Sequence, residues 1–346
     1  MLQGKLWTSI TLGSLSQLSQ LPIPVIILIF AAALATLMKG ADLLIEGSAN
    51  IARRFGISEL VIGLTVIAVG TSLPELVVSV KAAMSEGGEL ALANVVGSNT
   101  TNILLVLGLT AAIKPIRAPL EILKPDLRIT FSLAITFLGM VAVGADIYIL
   151  SGFSNTQSML QRWSGGVLLI FFFIFVIRLV LSKDKNVEEE PSEGQTPLGK
   201  AIIATIVGTS LIILGGEFTV QSAIGIAQKA GIPQSTIGLT IVAFGTSLPE
   251  LVASITAARK NLSDMAIGNV IGSNIMNLTM VLGTAGLIGP IHLGAFETLD
   301  VAFMTLVTFI LGGLLRRSAD FHINRPIGLG FFITYLSYMT FVALRN

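Results

Sequence analysis

The sequence has no cysteine and only two histidines, and these absences exclude several kinds of site. Without thiols the chain can form neither a disulfide framework nor a thiolate metal centre, and two histidines are too few for a histidine metal site. No Ser/His or Cys/His pairing is evident for nucleophilic catalysis, so we do not expect an enzyme. We also expect no resident cofactor. The formal net charge is +1, which leaves no electrostatic footprint for nucleic acid.

Charged residues are also scarce, at 12% of 346 residues, whereas hydrophobic residues make up 53%. A soluble domain carries about 25% charged residues, so this chain cannot cover a water-facing surface of its size. The surplus apolar surface must therefore face the lipid bilayer. Residues 1–22 are too polar for the apolar region of a signal peptide and are expected to form an extramembrane or interfacial segment.

Hydrophobic segments long enough to cross a bilayer begin after Pro22 and recur along the chain. A spanning helix needs about 20 mostly apolar residues. This criterion predicts an all-α polytopic membrane protein with ten transmembrane helices, at residues 23–48, 58–84, 90–113, 127–146, 163–181, 198–227, 234–258, 265–289, 297–315 and 325–344. The polar stretch 182–197 is expected to be a cytoplasmic linker between two five-helix halves, 23–181 and 198–346.

The distribution of Lys and Arg predicts how the chain is oriented in the membrane. If the amino terminus lies outside, most basic residues fall in cytoplasmic loops or helix ends, among them Arg53, Arg54, Lys114, Arg316 and Arg317. Such an excess is the positive-inside bias of membrane proteins. We therefore expect a multi-pass protein of the cell membrane with its amino terminus outside.

The two halves of the chain repeat one another. The segment GTSLPELV occurs at 70–77 and again at 245–252, which is 175 residues later. The same offset relates the GSN segments at 97–99 and 272–274. Because each half has five predicted spans, the second half enters the membrane with the opposite orientation. This arrangement predicts two inverted five-helix repeats related by a pseudo-two-fold axis in the membrane plane.

The repeated GTSLPE motif combines helix breakers with oxygen ligands. Gly70 and Pro74 should bend or break the span, which would free backbone carbonyls to act as ligands. Irregular backbone at membrane depth is tolerated where it lines a cavity. The two copies together offer carboxylates, hydroxyls and carbonyls, from Ala68, Thr71, Ser72 and Glu75 in the first repeat and Ala243, Thr246, Ser247 and Glu250 in the second.

A second motif, G-S-N-x-x-N, follows on the next span of each half. Ser98 and Asn102 are four residues apart and share a helix face, and Ser273 and Asn277 repeat this arrangement. The middle asparagine of each motif lies off that face and is left out of the predicted site. The pooled ligands are hard oxygen atoms, which suit Ca²⁺ and Na⁺ and do not suit zinc or copper.

Structural roles are the alternative for several of these residues. The small hydroxyl residues are common packing contacts between membrane helices, and Asn102 and Asn277 could instead fix packing through interhelical hydrogen bonds. A buried carboxylate without a cation is costly, so a purely structural role is hard to assign to Glu75 and Glu250. Two ionised glutamates carry a charge of −2, which one Ca²⁺ or two Na⁺ would neutralise. Burial and mutual repulsion disfavour the charged form, so protons are expected to compete with the metal.

The doubled motifs resemble the two alpha-repeats of the calcium/cation antiporter superfamily, specifically its prokaryotic sodium/calcium exchangers. The resemblance covers nearly the whole chain after about residue 22. It implies a secondary active antiporter that exchanges Na⁺ for Ca²⁺ by alternating access, with the first and sixth spans sliding past a fixed core. It also implies that Glu75 and Glu250 are the acidic ligands shared by the repeats, with the hydroxyls and the two alanine carbonyls around them.

One position departs from many relatives, including potassium-dependent ones, which carry Asp where this chain has Asn277. The central site is therefore less negative than in those relatives, and we expect no potassium requirement. Proton-coupled export of Ca²⁺ or another divalent cation is the alternative function, although the proton-linked exchangers typically carry G-N-A-x-E in place of G-T-S-x-P-E. A cation channel is a weaker alternative, because channel filters are usually rings formed by several identical subunits.

Overall fold

The computed structural model describes residues 18, 20–84, 88–119, 128–139, 158–160, 162–181, 196–232, 243–293, 295–316 and 320–345. Almost all of these residues are helical. The helices are α1 Ile23–Phe55, α2 Glu59–Thr71, α3 Leu73–Met84, α4 Gly88–Ile113, α5 Arg128–Gly139, α6 Arg162–Leu181, α7 Leu198–Lys229, α8 Ala243–Gly245, α9 Leu248–Arg259, α10 Ser263–Ile288, α11 Ala295–Arg316 and α12 Arg325–Arg345.

The predicted fold class, a polytopic helical membrane protein, is confirmed. Among the described residues, six helices are long and apolar enough to cross a membrane, and the bent pair α2–α3 raises this number to seven. The order of the helices is consistent with ten spans in two inverted repeats. The predicted amino-terminal segment and cytoplasmic linker lie almost wholly outside the described residues, as do parts of the fourth and seventh predicted spans, 140–146 and 234–242.

The first helix is longer than predicted. It continues beyond residue 48 to Phe55, where Gly56 adopts a left-handed conformation with φ 59° and donates its N–H to the carbonyls of Ala52 and Arg53. This is a common helix end, in which glycine accepts a backbone conformation that other residues avoid. The polar residues after position 48 therefore lie on a helix that continues beyond its apolar span.

Two short antiparallel strand pairs were not predicted. Strand β1 (Ile116–Pro119) pairs with β4 (Asp320–Ile323), and β2 (Ser158–Leu160) pairs with β3 (Ile291–Leu293). β1 and β3 occupy equivalent places, since each follows the third span of its repeat. Each pair joins a strand of one half to a strand of the other, so the two halves are tied together by backbone hydrogen bonds outside the helices.

Helices α1 and α7 are equivalent in the two repeats and cross in close contact. Small residues at seven-residue spacing line the crossing, namely Ala33, Gly40 and Gly47 on α1 and Ala201, Gly208 and Gly215 on α7. A Cβ atom on Gly208 would lie 2.4 Å from the backbone nitrogen of Leu44, and one on Gly40 would lie 2.9 Å from the carbonyl oxygen of Gly208. Glycine is therefore required for this approach.

The helices that carry the two motifs form the centre of the protein. α4 and α10 are buried along most of their length, whereas α1, α6, α7 and α12 expose much of their apolar surface. Gly272 on α10 allows close packing against α2, because a Cβ atom there would lie 2.7 Å from the carbonyl oxygen of Leu64. Gly97 is the repeat counterpart of Gly272, but the counterpart of Leu64 falls within 233–242, outside the described residues.

Candidate cation site

Both copies of GTSLPE bend at the same residue. α2 and α3 meet at Ser72 with an angle of 47°, and Ser72 has φ −85° and ψ 3°. Ser247, which precedes α9, has nearly the same conformation, with φ −88° and ψ 4°. The proline two residues later has no N–H to continue the helical bonding, so the predicted break is confirmed. It places Glu75 and Glu250 in the first turn of α3 and of α9.

The bend does not free the carbonyl of Ala68 as predicted. That oxygen accepts the N–H of Ser72 at 3.0 Å and lies 3.4 Å from the Thr71 hydroxyl, so the premise for its release is wrong. The helical bond survives because the chain turns only after Ser72. In the second repeat the N–H of Ser247 donates to the carbonyl of Phe244 at 3.2 Å, one residue later than its counterpart, and Ala243 begins α8.

The predicted hydroxyls meet across the repeats in two equivalent pairs. Thr71 lies 3.3 Å from Ser273, and Ser98 lies 3.4 Å from Thr246, both measured between hydroxyl oxygens. The offset of the repeats converts the first pair into the second. The two motifs of one half therefore face those of the other around a pseudo-two-fold axis, as the sequence repeat predicted.

The two carboxylates lie at the centre of these pairs and are fully buried. Ser72 donates to Oε1 of Glu250 at 3.3 Å, a contact between the repeats. The Glu75 carboxylate lies beside Thr246 and Ser98 and is close enough to Glu250 for the two groups to repel each other. Each glutamate is thus surrounded by hydroxyls from both halves of the chain.

The predicted amide ligands, Asn102 and Asn277, are each the first residue of a π-helical segment. α4 turns from α to π geometry at Asn102–Leu107, and α10 does so at Asn277–Val281. Both asparagines are fully buried. Such π segments are rare and occur often at functional sites, where they alter the direction of a side chain. No feature of the apolar sequence after each asparagine predicted them.

Sequence reasoning missed another pair of asparagines. Asn94 donates to the carbonyl of Glu75 at 3.3 Å and to the Ser79 hydroxyl at 2.9 Å. Asn269, at the equivalent position, donates to the carbonyl of Glu250 at 3.3 Å and to Ser254 at 2.9 Å. These amides brace the first turn of α3 and of α9. The repeat offset, which relates both asparagines and both serines, was the signal that could have identified them.

The asparagines left out of the predicted site lie at the axis itself. Asn99 donates to the carbonyl of Asn274 at 3.2 Å, and Asn274 donates to the carbonyl of Asn99 at 3.4 Å. These residues are equivalent in the two repeats, and equivalent residues can bond reciprocally only where they meet near the symmetry axis. Asn102 joins them by donating to Oδ1 of Asn274 at 3.1 Å.

Several buried polar atoms at this centre have no hydrogen-bond partner among the described residues. They are both carboxylate oxygens of Glu75, Oε2 of Glu250, the Ser247 hydroxyl, Oδ1 of Asn99 and of Asn102, and both polar atoms of Asn277. An unpaired buried polar group costs about 1–3 kcal/mol, so these atoms need a partner. Nearly all are oxygens, and two carboxylates are among them, so the partner they fit is a cation.

The amino-acid sequence matches the family described as sodium/calcium exchanger protein over residues 25–181 and 200–344. The chain belongs to this family. It is 32% identical over 344 residues to the sodium/calcium exchanger MaX1 of Methanosarcina acetivorans, covering 90% of this chain and 97% of that protein. It is 34% identical over 322 residues to the inner membrane protein YrbG of Escherichia coli, covering 86% and 91%.

Solved structures of the sodium-calcium exchanger NCX_Mj have the same fold. One of them, soaked with Na⁺ and Sr²⁺, superposes with a TM-score of 0.78 at 32% identity and covers 92% of this chain and 99% of that one. The resemblance predicted from the two motifs is therefore confirmed. The protein is therefore a multi-pass membrane antiporter of cations, and the family to which it belongs consists of transporters.

Proposed function

We propose that the protein exchanges Na⁺ for Ca²⁺ across the cell membrane by alternating access, with its amino terminus outside. The observation that carries this proposal is the group of buried oxygens without partners, drawn from both repeats and centred on Glu75 and Glu250. A cation bound there would satisfy these oxygens and neutralise the two carboxylates together.

The proposed ligands supply the oxygen coordination that Ca²⁺ and Na⁺ require. Ca²⁺ takes about 6–8 oxygen ligands in flexible geometry, whereas Mg²⁺ demands near-octahedral geometry and loses water reluctantly. Two carboxylates of charge −1 balance one Ca²⁺ or two Na⁺. The proposed ligand set is Glu75, Glu250, Thr71, Ser72, Ser98, Asn102, Thr246, Ser247, Ser273 and Asn277, with the carbonyls of Ala68 and Ala243. The Ala68 oxygen accepts the N–H of Ser72, but a carbonyl has a second lone pair that a cation can use.

Sodium is favoured as the coupling ion by the motif and by the relatives. Both repeats carry G-T-S-x-P-E, whereas G-N-A-x-E is typical of the proton-linked exchangers. MaX1 and NCX_Mj are both described as exchangers of sodium and calcium. Proton coupling is the second candidate, because two adjacent buried carboxylates are groups that a proton could also neutralise.

Uptake of ⁴⁵Ca²⁺ into proteoliposomes loaded with Na⁺ tests the proposal. We expect uptake that requires internal Na⁺ and is lost when the liposomes contain K⁺ at the same concentration. A pH gradient across Na⁺-free liposomes is the matched control for proton coupling. Uptake driven only by the pH gradient would replace Na⁺ by H⁺ as the coupling ion, and no uptake under either gradient would mean that Ca²⁺ is the wrong substrate.

We expect this Ca²⁺ uptake to be independent of potassium. The position where many relatives carry Asp is Asn277, so the site has no third carboxylate to attract a further monovalent cation. The measurement is Na⁺-dependent uptake with K⁺ present on both sides or replaced by choline. Equal rates are expected, and K⁺-dependent uptake or uptake of ⁸⁶Rb⁺ coupled to Ca²⁺ would contradict the prediction.

A further inference from the structure

Three hydrogen bonds at the site run from a side-chain donor in the first repeat to a side-chain acceptor in the second. They are Thr71 Oγ1 to Asn269 Oδ1 at 3.1 Å, Ser72 Oγ to Glu250 Oε1 at 3.3 Å, and Asn102 Nδ2 to Asn274 Oδ1 at 3.1 Å. All of these residues are buried. Together the bonds connect α2 and α4 of the first repeat to α9 and α10 of the second.

Each of these bonds has an equivalent in the other direction, obtained by shifting both residues by the repeat offset of 175. In this equivalent bond, called its image, the second repeat donates and the first accepts. The images would join Thr246 to Asn94, Ser247 to Glu75 and Asn277 to Asn99, and none of these bonds is formed. Instead, the Ser247 hydroxyl, both Glu75 carboxylate oxygens, Asn277 Nδ2 and Asn99 Oδ1 are buried and have no partner among the described residues. Donors and acceptors are the same residue types on both sides, so the difference is one of conformation.

The acceptor amides are oriented in the same way in the two repeats. The Nδ2 groups of Asn269 and Asn94 donate to the carbonyls of Glu250 and Glu75 at 3.3 Å each. A carbonyl can only accept, so the nitrogen of each amide must face it and the Oδ1 must point elsewhere. In Asn269 this Oδ1 receives the Thr71 hydroxyl. Asn94 is held in the same way and is available to receive Thr246.

The amides also orient the proposed ligands. A hydroxyl has one proton, so a Thr71 that donates to Asn269 keeps its lone pairs for other partners, which is what a cation ligand needs. Asn102 donates its Nδ2 to Asn274 and leaves its Oδ1 without a partner among the described residues. These two bonds to Asn269 and Asn274 therefore hold the proton-bearing side of a ligand away from the ion.

We propose that Asn269 and Asn274, with their repeat counterparts Asn94 and Asn99, are positioning residues of the cation site that act in alternation. The first pair orients ligands of the first repeat in the conformation described here. The second pair orients ligands of the second repeat when the site opens to the opposite face of the membrane. The inference rests on the proposed function, because it concerns the same site and its alternating access.

This alternation explains how one site can open to two faces at similar free energy. The exchange concerns side chains and leaves the helices of the core in place. The three side-chain bonds that are broken in the transition are replaced by three bonds between the same residue types. Neither conformation is then strongly favoured by these bonds, and a modest difference in ion affinity is enough to shift the population. The paired asparagines would thus set the balance between the two conformations.

The substitutions Asn269→Ala and Asn94→Ala form a matched test. Each removes the same two bonds within its own repeat, to a glutamate carbonyl and to a serine hydroxyl. The two substitutions differ in their effect on the bonds between the repeats. Asn269→Ala removes the bond from Thr71 in the present conformation, and Asn94→Ala removes the bond from Thr246 proposed for the opposite conformation. The readout is the half-saturating Ca²⁺ concentration for exchange, measured from each face in right-side-out and everted membrane vesicles, and expressed as the ratio of the two values.

We expect the two substitutions to shift this ratio in opposite directions, each by about fivefold, the effect of one neutral hydrogen bond. The double variant should return the ratio toward that of the wild type. If both asparagines were merely structural, the two single variants would shift the ratio in the same direction or leave it unchanged. The ratio of the double variant would then be no closer to that of the wild type than the ratio of either single variant. That result would overturn the proposal. Wild-type vesicles without any Ca²⁺ exchange would instead contradict the proposed function.

A milder pair keeps the test decisive if an alanine variant does not fold. Ser254→Ala and Ser79→Ala each remove one acceptor of the Asn269 or Asn94 amide and leave the amide in place. Shifts in the same opposite directions, of smaller size, are expected. Equal ratios in both serine variants and in the wild type, with normal exchange rates, would count against alternation.

Discussion

Replacing Glu75 or Glu250 by Gln is expected to abolish Na⁺-dependent Ca²⁺ uptake. Two unit charges about 4 Å apart interact by about 4 kcal/mol at an effective dielectric constant of about 20, and the interaction with a divalent ion is larger. Because 1.4 kcal/mol corresponds to a tenfold change in affinity, each substitution should weaken Ca²⁺ binding by at least about a thousandfold. The measurement is ⁴⁵Ca²⁺ uptake together with Ca²⁺-induced thermal stabilisation of the protein in detergent.

The same substitutions should not impair folding. A neutral amide is less costly to bury than a carboxylate without a cation, so the melting temperature in metal-free buffer should be equal to or above that of the wild type. Glu217→Gln is the matched control, because Glu217 lies on α7 and its Oε1 accepts a hydrogen bond from Gln221 of the same helix at 3.1 Å. Normal uptake by either Glu75→Gln or Glu250→Gln would refute the shared site.

The second large effect is expected at the crossing of α1 and α7, where Gly208→Ala should sharply reduce the yield of folded protein. A single added Cβ atom would lie 2.4 Å from the backbone nitrogen of Leu44 and 2.8 Å from the carbonyl oxygen of Gly40. Neither backbone atom can move without separating the helices. Overpacking costs about 1–3 kcal/mol, and the clash with backbone atoms places this variant at the upper end.

The measurements are the fraction of monodisperse protein in size-exclusion chromatography and the melting temperature. Gly330→Ala is the control, because Gly330 lies on α12 and a Cβ atom there has no neighbour within 4 Å among the described residues. The control should match the wild type or exceed it, since alanine favours a helix over glycine. A Gly208→Ala protein as stable as the control would show that α1 and α7 are farther apart than described.

Most of the helical architecture could be predicted from hydropathy and the internal repeat. The bilayer requires continuous apolar helices, so the spans appear as long hydrophobic segments whose ends differ from the helices by only a few residues in most cases. The bend at Ser72 was also predictable, because a proline cannot donate the next helical bond wherever it is placed. The extension of α1 to Phe55 was missed because Asn50, Arg53 and Arg54 interrupt the apolar sequence of its last turns.

The ligand types were predicted from local spacing, but the contacts between them were not. Helical periodicity places Ser98 and Asn102 on one face, and it says nothing about which residue of the other repeat faces them. Periodicity also led to the omission of Asn99 and Asn274, which bond to one another at the axis. A contact near a symmetry axis depends on how the helices of the two halves pack, and spacing within one helix does not encode that arrangement.

The sequence by itself determined that the chain lies in a membrane, that its halves repeat one another with opposite orientation and that two carboxylates and several oxygen-bearing side chains belong to one buried centre. These properties follow from composition, periodicity and identity between the repeats, which are local or additive quantities. Only the tertiary structure decided which donors meet which acceptors, that the Ala68 carbonyl stays bonded, and that three of the bonds between the repeats form on one side of the axis only. The two repeats carry the same residues at these positions, so residue type cannot distinguish the sides; the packing of the helices does.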